Sequence, residues 1–152
     1  MGFELENEMS KTPIPKAGEI PSRWLLLDAE NQILGRLASQ VAKLLMGKNK
    51  PQFIRHLSCG DQVIVINVDK LKVTGKKSLQ KTYFHHTGYP GGLRAERLGK
   101  RLAERPEKLF REAVHGMLPK NRLGRGMLAH LHLYRGSQHA HQAQKPEVYK
   151  LS

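Results

Sequence analysis

Cysteine is nearly absent: Cys59 is the single one in 152 residues. No internal disulfide can form, and a reducing compartment is the default expectation. Long apolar runs are missing as well. None approaches the ~20 residues that a spanning helix requires, so no membrane association is expected. The opening stretch MGFELENEMSKTPIPKAGEIPSR carries no apolar segment suited to a secretory signal. Glu6 also stands where a myristoylation motif requires Ser or Thr. Together these absences imply a cytoplasmic protein. Acidic residues are scarce too, with 13 Asp and Glu against 26 Lys and Arg and a net charge of +13. Six of the acids fall within residues 1–30 beside three bases, which leaves 23 bases and seven acids for the remainder. A compact domain of that charge repels itself unless counter-charge is supplied. Nucleic acid is the commonest supplier, because neutralising phosphates also releases condensed counterions.

The motifs of nucleotide, metal and acid–base chemistry are missing in turn. VTGKKS, from Val73 to Ser78, suggests a phosphate loop, but that motif demands G-x-x-x-x-G-K-[ST]. With Gly75–Lys76 in frame, Lys77 stands where the hydroxyl must be and Lys70 where the first glycine must be. With Lys77 as the motif lysine, Lys76 replaces the glycine. DAENQILGRLA holds one glycine rather than the G-x-G-x-x-G of a dinucleotide fold. His56 and Cys59 have an H-x-x-C spacing, but no C-x-x-C accompanies them. Adjacent His85 and His86 on a strand would face opposite ways, so the pair cannot complete such a site. Cys59 reads more simply as a small buried residue and His56 as a polar loop residue. Asp28 and Asp61 lie near the ends of apolar runs, but no G-x-S-x-G or H-E-x-x-H accompanies them. No enzymatic activity, cofactor, metal or small-molecule substrate is expected.

What is present organises as one α/β domain. Residues 1–22, with Pro13, Pro15 and Pro21, read as a flexible arm, residues 23–146 as a single domain, and residues 147–152 as a tail. WLLLDA (24–29) and QVIVINV (62–68) are short apolar runs of the kind that forms buried parallel strands. Between them Leu34, Leu37, Val41, Leu44 and Leu45 recur at helical steps, and Gly47 suits a helix stop. This is a βαβ unit. KTYF offers a further strand. From Leu93 the chain reads as helical again, placing Arg94, Arg97, Arg101 and Arg105 in one cationic stripe. RPEKLFREAVHGMLP is a well-formed helix with Pro106 in its first turn and Leu109, Phe110, Ala113, Val114 and Met117 on its inner face. KNRLGRGM reads as a basic, glycine-containing segment, and LHLY (131–134) as a closing strand.

The polyanion reading passes where the others fail. Lys70, Lys72, Lys76, Lys77 and Lys81 are opposed locally by Asp69 alone. Tyr83, His85, His86 and Tyr89 follow as stacking surfaces for unpaired bases, while alternation assigns Phe84 to the core. Gly88, Gly91 and Gly92 permit close backbone approach. Arg36 and Lys43, seven residues apart, share one outer helix face.

At the level of whole motifs the sequence resembles the bacterial form of the large-subunit ribosomal protein L-thirteen family. The matching stretches are WLLLDA with LGRLAS, LLMGKNKPQF, GDQVIVINVDKLKVTGKK, KTYFHHTGYPGG, RPEKLFREAVHGMLPKNRLGR and LYRGSQHAHQAQKP, in family order from Trp24 to Pro146. The N-terminal arm departs from the pattern, being longer and more acidic than in bacterial relatives. The resemblance implies a three-layer α/β/α sandwich around a short, mostly parallel four-stranded sheet, with basic loops and flexible terminal extensions. It also implies a structural role in the large subunit: binding ribosomal RNA early in assembly, beside neighbouring ribosomal proteins. A free-standing RNA- or DNA-binding regulator is the alternative that charge alone leaves open. Arginine clamps phosphate bidentately and lysine acts as a mobile point charge. Arg36, Arg55, Arg122 and Arg125 are therefore expected to fix phosphates, and Lys48, Lys50, Lys72, Lys76, Lys77, Lys81 and Lys120 to neutralise them. Lys43, Lys70, Arg94, Asn121, Arg135, His139 and His141 complete the expected RNA-facing set with the aromatics and histidines above.

Overall fold

The two apolar runs lie side by side. The computed structural model describes residues 15–16 and 20–150; most of the expected arm (1–22) and the last two tail residues lie outside them. Strand β1 (Trp24–Asp28) pairs in parallel with β2 (Gln62–Ile66), Leu25 opposite Val63 and Leu27 opposite Val65. Helix α1 (Leu34–Met46) connects them and ends at Gly47, whose φ of 76° is the left-handed stop expected there. A side chain on Gly47 would also collide with the backbone of Cys59. Two more parallel strands complete the sheet, β5 (Leu131–Leu133) outside β2 and β6 (Glu147–Val148) outside β1. The order β5–β2–β1–β6 reverses direction at β1. The α/β class and the short four-stranded parallel sheet are those the family resemblance implies. The fourth strand, however, comes from the segment read as tail.

Because paired residues of parallel neighbours point the same way, alternation sorts the sheet into two faces. Leu25, Leu27, Val63, Val65 and Leu131 meet the buried side chains of α1, of α4 (Pro106–Met117) and of α5 (Arg122–Ala129). Phe110 is the largest member of this core, from α4, and α1 contributes Leu37 and Leu45. Burying each such side chain contributes about 1.5–3 kcal/mol. Trp24, Leu26, Ile64 and His132 face the other way. That face is covered by the return from β5 to β6, which contains one 3-10 turn, Gln142–Gln144. Asn67 and Val68 donate backbone hydrogen bonds to Gly136 and Tyr134 of this return. Among the described residues no helix is long and apolar enough to cross a membrane.

The remaining elements sit between β2 and α4: α2 (Lys77–Gln80), a hairpin of β3 (Thr82–His86) with β4 (Leu93–Arg97), and α3 (Leu98–Glu104). Three expectations need correction here, and one segment to which the sequence reading assigned no element acquires one. Leu93–Arg97 is a strand, so the arginine stripe from Arg94 to Arg105 does not exist. The cause is the intervening turn, where Gly88 and Gly91 adopt φ of 92° and 71° and fold the chain back on β3. KNRLGRGM contributes α5, capped where the Asn121 carboxamide oxygen accepts from the Gly124 amide at 2.8 Å. Its Gly124 is there for contact, since a Cβ would run into the Pro119 carbonyl. Met117 is exposed, and Leu118 takes the buried position instead. Phe84 is 67% exposed and lies outside the core.

Candidate nucleic-acid interface

The lysine-rich turn is anchored to the start of α1. Lys72 accepts from the Leu34 amide at 3.0 Å and donates to the Gln32 carbonyl at 2.8 Å, forming a parallel bridge with Ile33. No side chain caps α1, and its first turn carries no acid. Its positive dipole end is therefore not offset locally. Beside it lies a groove of about 320 Å³ lined by Arg36, Lys72, Lys77, Lys81 and Tyr83, with Gly35, Thr74 and apolar neighbours and no acidic residue. Residues distant in sequence thus converge, as expected of a phosphate-binding surface. Lys76 precedes α2 as an exposed cap, and Gly75 turns the chain there with φ 64°. Lys43 lies in the last turn of α1, away from the groove.

A second basic region surrounds the other end of α1. Lys48, Arg55 and Asn121 line a depression of about 420 Å³ with Met46, Phe53, Pro119 and Met127. Lys120, Arg122 and Arg125 are exposed on the adjoining start of α5. The approach depends on Gly60, where any side chain would strike the Leu45 carbonyl. Cys59 is fully buried, as the sequence implies, with its sulfur 3.6–3.9 Å from three carbonyl oxygens. His56 is exposed, and among the described residues no three His, Cys, Asp or Glu side chains are grouped to hold a metal ion.

In the hairpin the aromatics are inverted relative to the sequence reading. Tyr83 is half-buried, with the Lys81 ammonium 5.0 Å and the Arg101 guanidinium 4.7 Å from its ring centre. Phe84, paired with Ala95, faces out instead. Cation–π attraction explains the choice, because the inner side of the hairpin offers tyrosine two cations. His85 and His86 take opposite faces of β3, as expected. The His86 Nδ1 accepts from the Gly88 amide at 3.0 Å and orders the turn, and Tyr89 at the tip is 76% exposed.

The model of the ribosomal protein L13 family matches residues 22–140. This chain belongs to the ribosomal protein L13 family. It is 52% identical over 143 residues to "Large ribosomal subunit protein uL13" of Geobacillus kaustophilus, covering 94% of this chain and 99% of that one. The protein of the same name from Listeria innocua is 50% identical over 143 residues, with the same coverage. That from Nitratidesulfovibrio vulgaris is 52% identical over 142 residues, or 93% and 99% of the two chains.

Several expected RNA-facing side chains of this L13-family chain are engaged within its own fold. Lys50 is the clearest: its ammonium lies 2.6 Å from the Asp61 carboxylate and 2.7 Å from the Pro21 carbonyl. Asp61 also accepts from the Arg23 amide at 3.0 Å. Lys70 meets Glu30 at 3.0 Å, a hydrogen bond that raises its pKa above the ordinary lysine value. Arg135 reaches Glu107 at 3.4 Å and the Glu104 carbonyl at 3.0 Å. His141 packs on Trp24 and His132, ring centres 5.1 and 4.4 Å away, and His139 lies beside Tyr134. Burial within this cluster, then the nearby His141, His130 and Arg111, lowers the His132 pKa. Sequence reasoning missed this cluster, although alternation along LHLY already separates His132 from Leu131 and Leu133.

Proposed function

We propose that this chain is a structural, non-catalytic component of the large ribosomal subunit in the cytoplasm. There it binds large-subunit ribosomal RNA beside neighbouring ribosomal proteins and helps fold the RNA early in assembly. One observation carries the reading: Arg36 of α1, Lys72 of the bridge, and Lys77 and Lys81 at the two ends of α2 line one groove without an acid. Such a surface suits phosphates brought together by RNA folding, with recognition mainly of shape and backbone. The family and the names of its relatives support the subunit assignment. The depression at Lys48 and Arg55, with Lys120, Arg122 and Arg125 nearby, forms a second contact region. Arg94, His85 and Tyr89 on the hairpin form a third. Lys50, Lys70, Arg135, His139 and His141 serve the fold first. In a sucrose gradient after lysis, the chain should travel with large subunits and stay there in moderate salt. Recovery at the top of the gradient would support a free-standing regulator instead.

A further inference from the structure

A cleft of about 520 Å³ separates the β3–β4 hairpin from α3 and α4. One wall is the inner face of the hairpin: Tyr83 paired with Glu96, and His85 paired with Arg94. The other carries Arg101 of α3, Arg105 at the break between the two helices, and Lys108 and Glu112 of α4. Arg101 joins the walls. Its guanidinium donates to Glu96 at 3.0 Å and to both oxygens of Glu112 at 2.8 and 3.3 Å, while lying over Tyr83. Both carboxylates of the cleft are therefore paired with Arg101, and its other three cations outnumber the one carboxylate charge that this leaves over. Arg94, Arg105 and Lys108 have no ionic partner among the described residues.

We infer that this cleft binds one unpaired nucleotide of an RNA strand, its phosphate held by Arg94, Arg105 and Lys108. The inference rests on the RNA-binding role proposed above and extends it to a cleft that shares Tyr83 alone with the lining of the Lys72 groove. The volume is that of a small-ligand pocket. Unpaired arginines supply bidentate phosphate contacts, and the His85 ring, beside the Arg101 guanidinium that covers Tyr83, supplies a surface for a base. An acidic peptide would satisfy the cations but would leave the aromatic wall unused. Arg101 is a positioning residue, held by two carboxylates and thereby fixing the spacing of the walls.

The test uses the full chain and hexauridylate carrying 4-thiouridine, with photocrosslink mapping and titration at two salt concentrations. Crosslinks should fall on His85, which lines this cleft and not the Lys72 groove. R105A/K108A should weaken binding about tenfold and lower the salt slope by ~0.7 per lost contact. Both residues are exposed, so the variant should fold. Crosslinks confined to residues 72–81, with R105A/K108A unchanged, would overturn the cleft and leave the RNA reading standing. Absence of salt-dependent binding by the unaltered chain would overturn the cleft alone, since the ribosomal reading is tested by the sucrose gradient. Equal binding of uridine monophosphate would make the cleft a free-nucleotide site, and equal competition by hexaglutamate would make it a peptide site; either overturns the inference.

Discussion

Lys50 shows how little a residue's identity says about its task. In sequence it stands among the cations of GKNK, with nothing to separate it from Lys48. In the fold its side chain is 16% exposed and that of Asp61 only 3%, so the pair is nearly desolvated. Asp61→Ala should therefore cost about 3–5 kcal/mol, the penalty for leaving one charge of a buried pair uncompensated. Lys48→Ala should stay within about 0.5 kcal/mol, as exposed substitutions usually do. Urea unfolding of the two variants checks the contrast. His132 gives a pH-dependent prediction. Its pKa is lowered in the fold from the ordinary 6.5, so below that value the unfolded chain binds more protons than the folded one. Stability from this group is complete above about 6.5 and declines as pH falls through that value toward the lower folded-state pKa. His132→Phe should reduce the loss in urea midpoint between neutral and mildly acid pH; an unchanged loss would assign it to other groups.

Among the elements, those set by hydrophobic spacing could be read from the sequence. Strands β1 and β2, helix α1 with its Gly47 stop, and helix α4 with Pro106 in its first position all lie where the pattern puts them. The hairpin and α5 could not be read this way, for different reasons. β4 has no buried residue, so it leaves no alternation to detect. α5 contains Gly124, a helix-weakening residue retained because the Pro119 carbonyl lies against it. The turn of Phe84 outward was equally hidden, because it depends on Arg101, 17 residues away in sequence. A paired substitution checks the hairpin assignment. Phe84→Ala should change stability by less than about 0.5 kcal/mol, whereas Phe110→Ala, from the fully buried core position, should cost about 3–5 kcal/mol. Equal losses would mean that Phe84 packs inward after all.

For the molecule as a whole, charge pointed to a polyanionic partner, and the motifs pointed to the family that the chain belongs to. Neither gave the grouping of cations. Arg36 and Lys77 are 41 residues apart in sequence, and the bridge between Ile33 and Lys72 is what brings their elements to one groove. Cations already paired with Glu30, Asp61 or Glu107 were indistinguishable in sequence from those left open, because ion pairing is a tertiary property. The sharpest measurement is therefore the salt dependence of binding to large-subunit ribosomal RNA by the unaltered chain and by Arg36→Ala/Lys72→Ala/Lys77→Ala. Each lost phosphate contact should lower the slope of log affinity against log salt by about 0.7–0.9. The triple variant should therefore bind more weakly and with a visibly shallower slope. An equal slope for both proteins would contradict the groove as the RNA-binding surface.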